Sequence, residues 1–150
     1  MITGDDYILL AGKLAASPTA GEASYRSAVS RAYYGAFHLA ADFLVELGFK
    51  VPKGPSAHGW IPQVLHGSGQ QDAKDAGHFL EDLHSERIVA DYHWQNQATG
   101  KQDDARTSVE TAHEVRSSLN ACRLESARSE TGAGIEKYLR DRAGRGSGHR

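Results

Sequence analysis

The chain has 150 residues, enough for one domain with its own core. Its 39% hydrophobic and 24% charged residues are ordinary for a globular protein, and no apolar run reaches the ~18 residues of a membrane helix. A net charge of -2 and a pI near 6.4 exclude a surface that coats nucleic acid everywhere, yet allow a local cationic pocket. The acidic start, Met1-Ile2-Thr3-Gly4-Asp5-Asp6, lacks the basic opening of a secretory signal, and the single cysteine, Cys122, can form no internal disulfide. A cytoplasmic protein without a membrane span is the expectation.

Strand signals are almost absent: no alternating β-branched run and no Asn-Gly or Asp-Gly turn. Helical periodicity is plentiful instead. A first helix is predicted from Asp5 to Ser17, with Ile8, Leu9, Ala11 and Leu14 inward and Pro18 ending it. The second and longest runs from Gly21 to Leu47, with Gly48 placed for a left-handed cap. After the loop Val51-Pro52-Lys53-Gly54-Pro55, a short helix is predicted from Ala57 to Leu65, with Pro62 tolerable only in a first turn. Gly67-Ser68-Gly69 reads as a break. Two helices follow, Asp72 to His84 and Ser85 to Ala98, readable as one bent unit. A last core helix, Asp103 to Leu124, carries the stripe Ala105, Val109, Ala112, Val115, Leu119 and Cys122. These elements make an all-α fold, an up-and-down bundle of four to six helices over residues 1–125.

Residues 126–150 form a Gly-rich, mildly basic tail, with six basic residues against three acidic ones. Ile135 to Leu139 can form one helical segment, and the chain beyond Arg142 is expected to be disordered.

The informative segment is Ser24 to Leu47. At about 100° per residue, Ala28, Val29, Ala32, Tyr33, Ala36, Phe37, Ala40, Phe43, Leu44 and Leu47 gather on one side. Arg31 and His38 lie nearly opposite. Seven residues apart, they differ by about 20° around the axis and about 10 Å along it. A guanidinium grips a phosphate through a two-pronged contact, and an imidazole gives or takes a proton near neutral pH. Tyr34 and Ser27 share that side, where Tyr34 can stack on a base or bond a phosphate. An Arg and a His two turns apart are more often a solvated surface than a site. Ala41 and Val45 make this face less polar than a fully wetted one, as a homodimer seam would require.

Ser30-Arg31-Ala32-Tyr33-Tyr34-Gly35-Ala36-Phe37-His38 resembles the signature of HEPN-domain proteins, S-R-A-Y-Y-A-x-F-H. Arg87-Ile88-Val89-Ala90-Asp91-Tyr92 resembles the R-x-x-A-D-Y segment of the same group, and His58 resembles a histidine entering its third helix. The resemblance spans Asp5 to Leu124. It implies a dimerising helical bundle and an R-x(4–6)-H motif, here Arg31 and His38. In ribonuclease members two such motifs meet across the dimer and cut RNA without a metal, leaving 2',3'-cyclic phosphate ends. The histidine acts as base or acid, and the arginine holds the scissile phosphate. Many members are toxins paired with a nucleotidyltransferase-type antitoxin, or belong to phage defence. Ala32 departs from the pattern, since a polar residue usually follows the arginine in active members. The second expectation is therefore a non-catalytic HEPN module that binds a nucleotide or a nucleotidyltransferase partner.

Arg87 and Asp91 fit an i,i+4 ion pair, or a support that orients the second helix or the motif histidine. Tyr92 and Trp94 read as packing residues. The spacings His78 to His84 and His84 to His93 match no zinc pattern, so no metal is expected. No phosphate-binding glycine loop and no G-x-S-x-G elbow is present, and no cofactor is expected.

Overall fold

Thr3 starts the fold. Its hydroxyl accepts from the Asp6 N–H while the Asp6 carboxylate accepts from the Thr3 N–H, a reciprocal cap on helix α1 (Gly4–Ala16). The computed structural model describes residues 1–146 and contains no strand among them. Five further helices follow: α2 (Glu22–Glu46), α3 (Ala57–Gly67), α4 (Gln71–Tyr92), α5 (Gln102–Cys122) and α6 (Glu125–Gly146), with a single 3-10 turn at Gln97–Thr99. Helices α1, α2, α4 and α5 pack on one another as the central bundle. α3 lies on α4, and α6 lies on α3.

The core face of α2 is the one its periodicity gave. Ala28, Val29, Ala32, Tyr33, Ala36, Ala40, Phe43 and Leu44 are buried, and Phe37 and Leu47 are half-buried. Gly48 follows with φ +92°, as a helix-ending glycine should. On α1, Ile8 and Ala11 are buried and Leu14 is half-buried, but Leu9 is 60% exposed. The helix buries only a narrow stripe, Gly4, Ile8, Ala11 and Ala15, and Leu9 lies a quarter-turn beyond it. That stripe sits very close to α2. A Cβ on Gly35 would stand 2.6 Å from Ile8 Cγ1, and one on Gly4 would stand 2.5 Å from the Gly35 carbonyl oxygen.

Three expectations about the second half change. Pro62 is the sixth residue of α3, beyond its first turn. The bond its missing N–H would have made to the His58 carbonyl is given up, and burial of Ile61, Pro62, Val64 and Leu65 holds the helix regardless. α4 is one helix through His84 and Ser85, as the joined reading has it, but it stops at Tyr92 instead of continuing to Ala98. It stops because the buried guanidinium of Arg26 takes the carbonyls of Val89, Ala90, His93, Trp94 and Asn96, drawing the chain out of helical register.

The third change is α6, helical from Glu125 through Gly146; the rest of the expected disordered end, residues 147–150, lies outside the described residues. Glycines that looked like breakers are contact points here. A Cβ on Gly134 would stand 1.8 Å from the Ser68 carbonyl oxygen, and one on Gly67 would fall on the Tyr138 ring. Thr131 and Ile135 are buried in the same contact. Cys122 closes the core of α5, and burial pushes its thiol up to about 11, leaving it protonated and inert.

Candidate functional site

The outer face of α2 carries two groups of side chains. On the side toward α1, Arg31 and His38 are both exposed. Tyr7 of α1 reaches between them. The Arg31 guanidinium lies 5.4 Å from the Tyr7 ring centre, and the His38 and Tyr7 rings meet edge-on at 6.3 Å. This meeting depends on the close crossing at Gly4 and Gly35, since only glycine lets α1 come so near. Arg31 makes no ion pair or hydrogen bond among the described residues. By contrast, Arg26, Arg87, Arg116 and Arg123 each have a carboxylate partner.

On the side toward α4, Tyr34 is half-buried under Arg87. The Arg87 Nη2 donates to the Tyr34 hydroxyl at 2.5 Å, its Nε donates to Asp91 Oδ2 at 2.9 Å, and its guanidinium lies 4.9 Å over the Tyr34 ring. Ser30 donates to the same Asp91 oxygen at 3.1 Å. Arg87 and Asp91 form the i,i+4 pair, and through Tyr34 and Ser30 the pair ties α4 to α2.

Beneath Tyr34 lies an imidazole stack. His58, at the start of α3, is hydrogen-bonded to the Tyr33 hydroxyl and stacks 5.4 Å from the His84 ring, the two planes 11° apart. Phe37 stacks on the other side of His58 at 4.7 Å and meets His38 edge-on at 5.4 Å, so one ring separates the inner histidines from the exposed one. Burial lowers the pKa of both His58 and His84. The neighbouring His84 and Arg87 charges lower His58 further, and Arg87 lowers His84 further. Burial likewise raises the Tyr33 phenol far above its usual range. These inner groups are therefore neutral near pH 7, a packed support for the outer face.

The site residues expected from sequence divide accordingly. Arg31 and His38 stand together with Tyr7, while Tyr34, His58, Arg87 and Asp91 form the layer against α3 and α4. Ser27 belongs to neither. It lines a cleft of about 560 Å³ with Glu22, Arg26, Asp91 and Trp94, one turn before Arg31. Trp94, expected to pack, is 72% exposed at the rim of that cleft, and Tyr92 is 68% exposed.

Three residues of the site escaped sequence reasoning. His84 shared a face of α4 with Arg87 and Asp91, at spacings of three and seven, which was a readable signal. Arg26 stood in register with Val29 and Tyr33, marking a cation that enters the core. Nothing in the sequence singled out Tyr7.

An all-helical bundle whose longest helix turns an Arg/His pair outward, backed by an R-x-x-A-D-Y segment, is the arrangement of a known domain class. The model of the HEPN domain matches residues 15–122, and the chain belongs to that family. The match covers all of α2 to α5 and leaves most of α1 and all of α6 outside. No curated protein and no solved structure gives a significant match. Among the described residues, no helix is long and apolar enough to cross a membrane.

Proposed function

We propose that this chain is a metal-independent endoribonuclease, the toxin-like component of a toxin–antitoxin or phage-defence pair, acting in the cytoplasm as a homodimer. The observation that carries the proposal is the uncommitted Arg31: an exposed guanidinium without a carboxylate partner, in line with an exposed imidazole. Arg31 holds the scissile phosphate and offsets the charge that grows on it. The His38 imidazole takes the 2'-hydroxyl proton as the 2'-oxygen attacks phosphorus. The P–O5' bond breaks, and an imidazolium, from the same motif or from the second copy's, returns a proton to the 5'-oxygen. The products are a 2',3'-cyclic phosphate and a 5'-hydroxyl.

Exposed Val45 continues the outer face about two turns beyond His38 and supports a homodimer seam there. Tyr34 contributes its ring edge to the RNA, and Ser27 contacts the strand from the neighbouring cleft. A nucleotidyltransferase-type antitoxin is the partner proposed to restrain the enzyme.

Ala32 favours a second reading, a non-catalytic HEPN module for a nucleotide or a nucleotidyltransferase partner. Ala32 is fully buried against the core, however, so a polar side chain there would point away from Arg31 and His38. Incubating the protein with total RNA in EDTA, beside the Arg31→Ala/His38→Ala double variant, separates the two readings. Cleavage by wild type alone, with cyclic phosphate ends, supports the enzyme; intact RNA with both folded proteins leaves the binding module.

A further inference from the structure

At the far end of the α3–α4 pair, away from Arg31 and His38, three potential metal donors converge. They are His66 of α3 with His78 and Glu81 of α4, and their donor atoms all lie within 4.8 Å of one another. From this convergence we propose a zinc site that clamps α3 to α4. Linear spacing hides this set, because it exists only once the two helices are packed.

The donor chemistry selects the ion. Two imidazoles and one carboxylate suit zinc, whereas magnesium and calcium take oxygen donors. Three protein donors leave a fourth position for water, as in sites that stay open. The geometry is close to what is needed. His66 Nε2 stands 2.8 Å from Glu81 Oε1, and the His66 and His78 rings are 4.5 Å apart at 71°. Zinc bonds of about 2.1 Å place tetrahedral donors about 3.4 Å apart. Side-chain rotation by His78, which is exposed, closes the remaining gap. The zinc ion then replaces the His66–Glu81 hydrogen bond.

The frame that holds the donors is rigid. His78 and Glu81 are three residues apart on one face of α4. Buried Leu65 precedes His66, and buried Gly77 and Leu80 precede the two α4 donors. Gly77 allows the approach: a Cβ there would lie 3.3 Å from both His66 Nε2 and the Pro62 carbonyl oxygen. The helices run antiparallel, so His66 faces His78 at one end while His58 faces His84 at the other, eight residues or about 12 Å along α3. The zinc site therefore fixes the same helix pair that supports the outer face of α2.

The test uses the full chain, stripped with EDTA, dialysed, and titrated with zinc alone against a chromophoric chelator. Melting is followed with and without zinc. One site per chain is expected, with a rise in melting temperature as it fills. His78→Ala and Glu81→Gln change exposed side chains and preserve the fold, which circular dichroism verifies. Each should weaken zinc binding about tenfold or more and remove the melting shift. A wild type that takes up no zinc at about 100 μM, or variants that bind and melt as wild type does, would overturn the proposal. Equal binding would move any zinc to other histidines.

Discussion

Arg26 offers the sharpest test of how the helix ends are held. Its side chain is 8% exposed, and Nη2 donates to the Trp94 and Asn96 carbonyls at 3.0 and 2.6 Å. Nη1 reaches the carbonyls of Val89, Ala90 and His93 and the Thr99 hydroxyl, while Nε pairs with Glu22 at 2.8 Å. Arg26→Met keeps the aliphatic stem and removes every one of these donors. Glu22 is about half exposed and regains water, so little of the cost lies there. The Val89 and His93 carbonyls keep backbone donors, the N–H groups of His93 and Asn96, whereas those of Ala90, Trp94 and Asn96 lose the guanidinium. Stranding them places the loss at about 3–5 kcal/mol, a large part of the 5–15 kcal/mol that holds a typical domain together. Urea denaturation measures it directly. With a slope of about 2 kcal/mol/M, the midpoint should fall by roughly 2 M, while the slope itself stays near wild type. The fall should be nearly the same in low and high salt, because the charge is buried. A loss under about 1 kcal/mol would refute the reasoning and mean that water already satisfies those carbonyls.

Gly35→Ala should cost about 1–3 kcal/mol, because its Cβ collides with Ile8 and the Gly4 backbone and opens the α1–α2 crossing. The same variant should lose RNA cleavage in proportion to how far Tyr7 retreats from Arg31 and His38, which thermal melts and cleavage rates read side by side. The lowered pKa values of His58 and His84 make stability depend on pH. Below the unfolded value of about 6.5 the unfolded chain binds these protons first, so stability falls as pH drops from there through the lower folded values. Replacing both by Phe should flatten that slope in urea titrations between about pH 7 and pH 5; an unchanged slope would assign it to other groups. His38→Ala should abolish RNA cleavage without moving the melting temperature, since the side chain is exposed, and retained cleavage would remove it from the mechanism.

Much of the molecule was legible because helices are local. The 3.6-residue period exposed the core face of α2 and the stripe of α5, and the Pro/Gly signals placed the loop after α2. The Arg31/His38 line was legible for the same reason: two residues seven apart share a helix face whatever the helix packs on. Local rules misjudged positions where a neighbour decides. Leu9 is as apolar as Ile8, but α1 has a contact only as wide as one stripe. The end of α4 is set by a guanidinium more than sixty residues earlier in the chain.

The sequence by itself determined the helical class, the core faces of α2 and α5 and the outward pair of Arg31 and His38, since each follows from spacing along one helix. Only the tertiary structure decided that Tyr7 joins that pair, that Arg87 and Asp91 meet Tyr34 and Ser30, and that His66 meets His78 and Glu81. It also decided that the glycines of α6 are contacts instead of breaks. The reason is common to all of these: each joins residues of different helices, which spacing along one helix does not report, and at the α1–α2 and α3–α6 contacts glycines set how close the helices come.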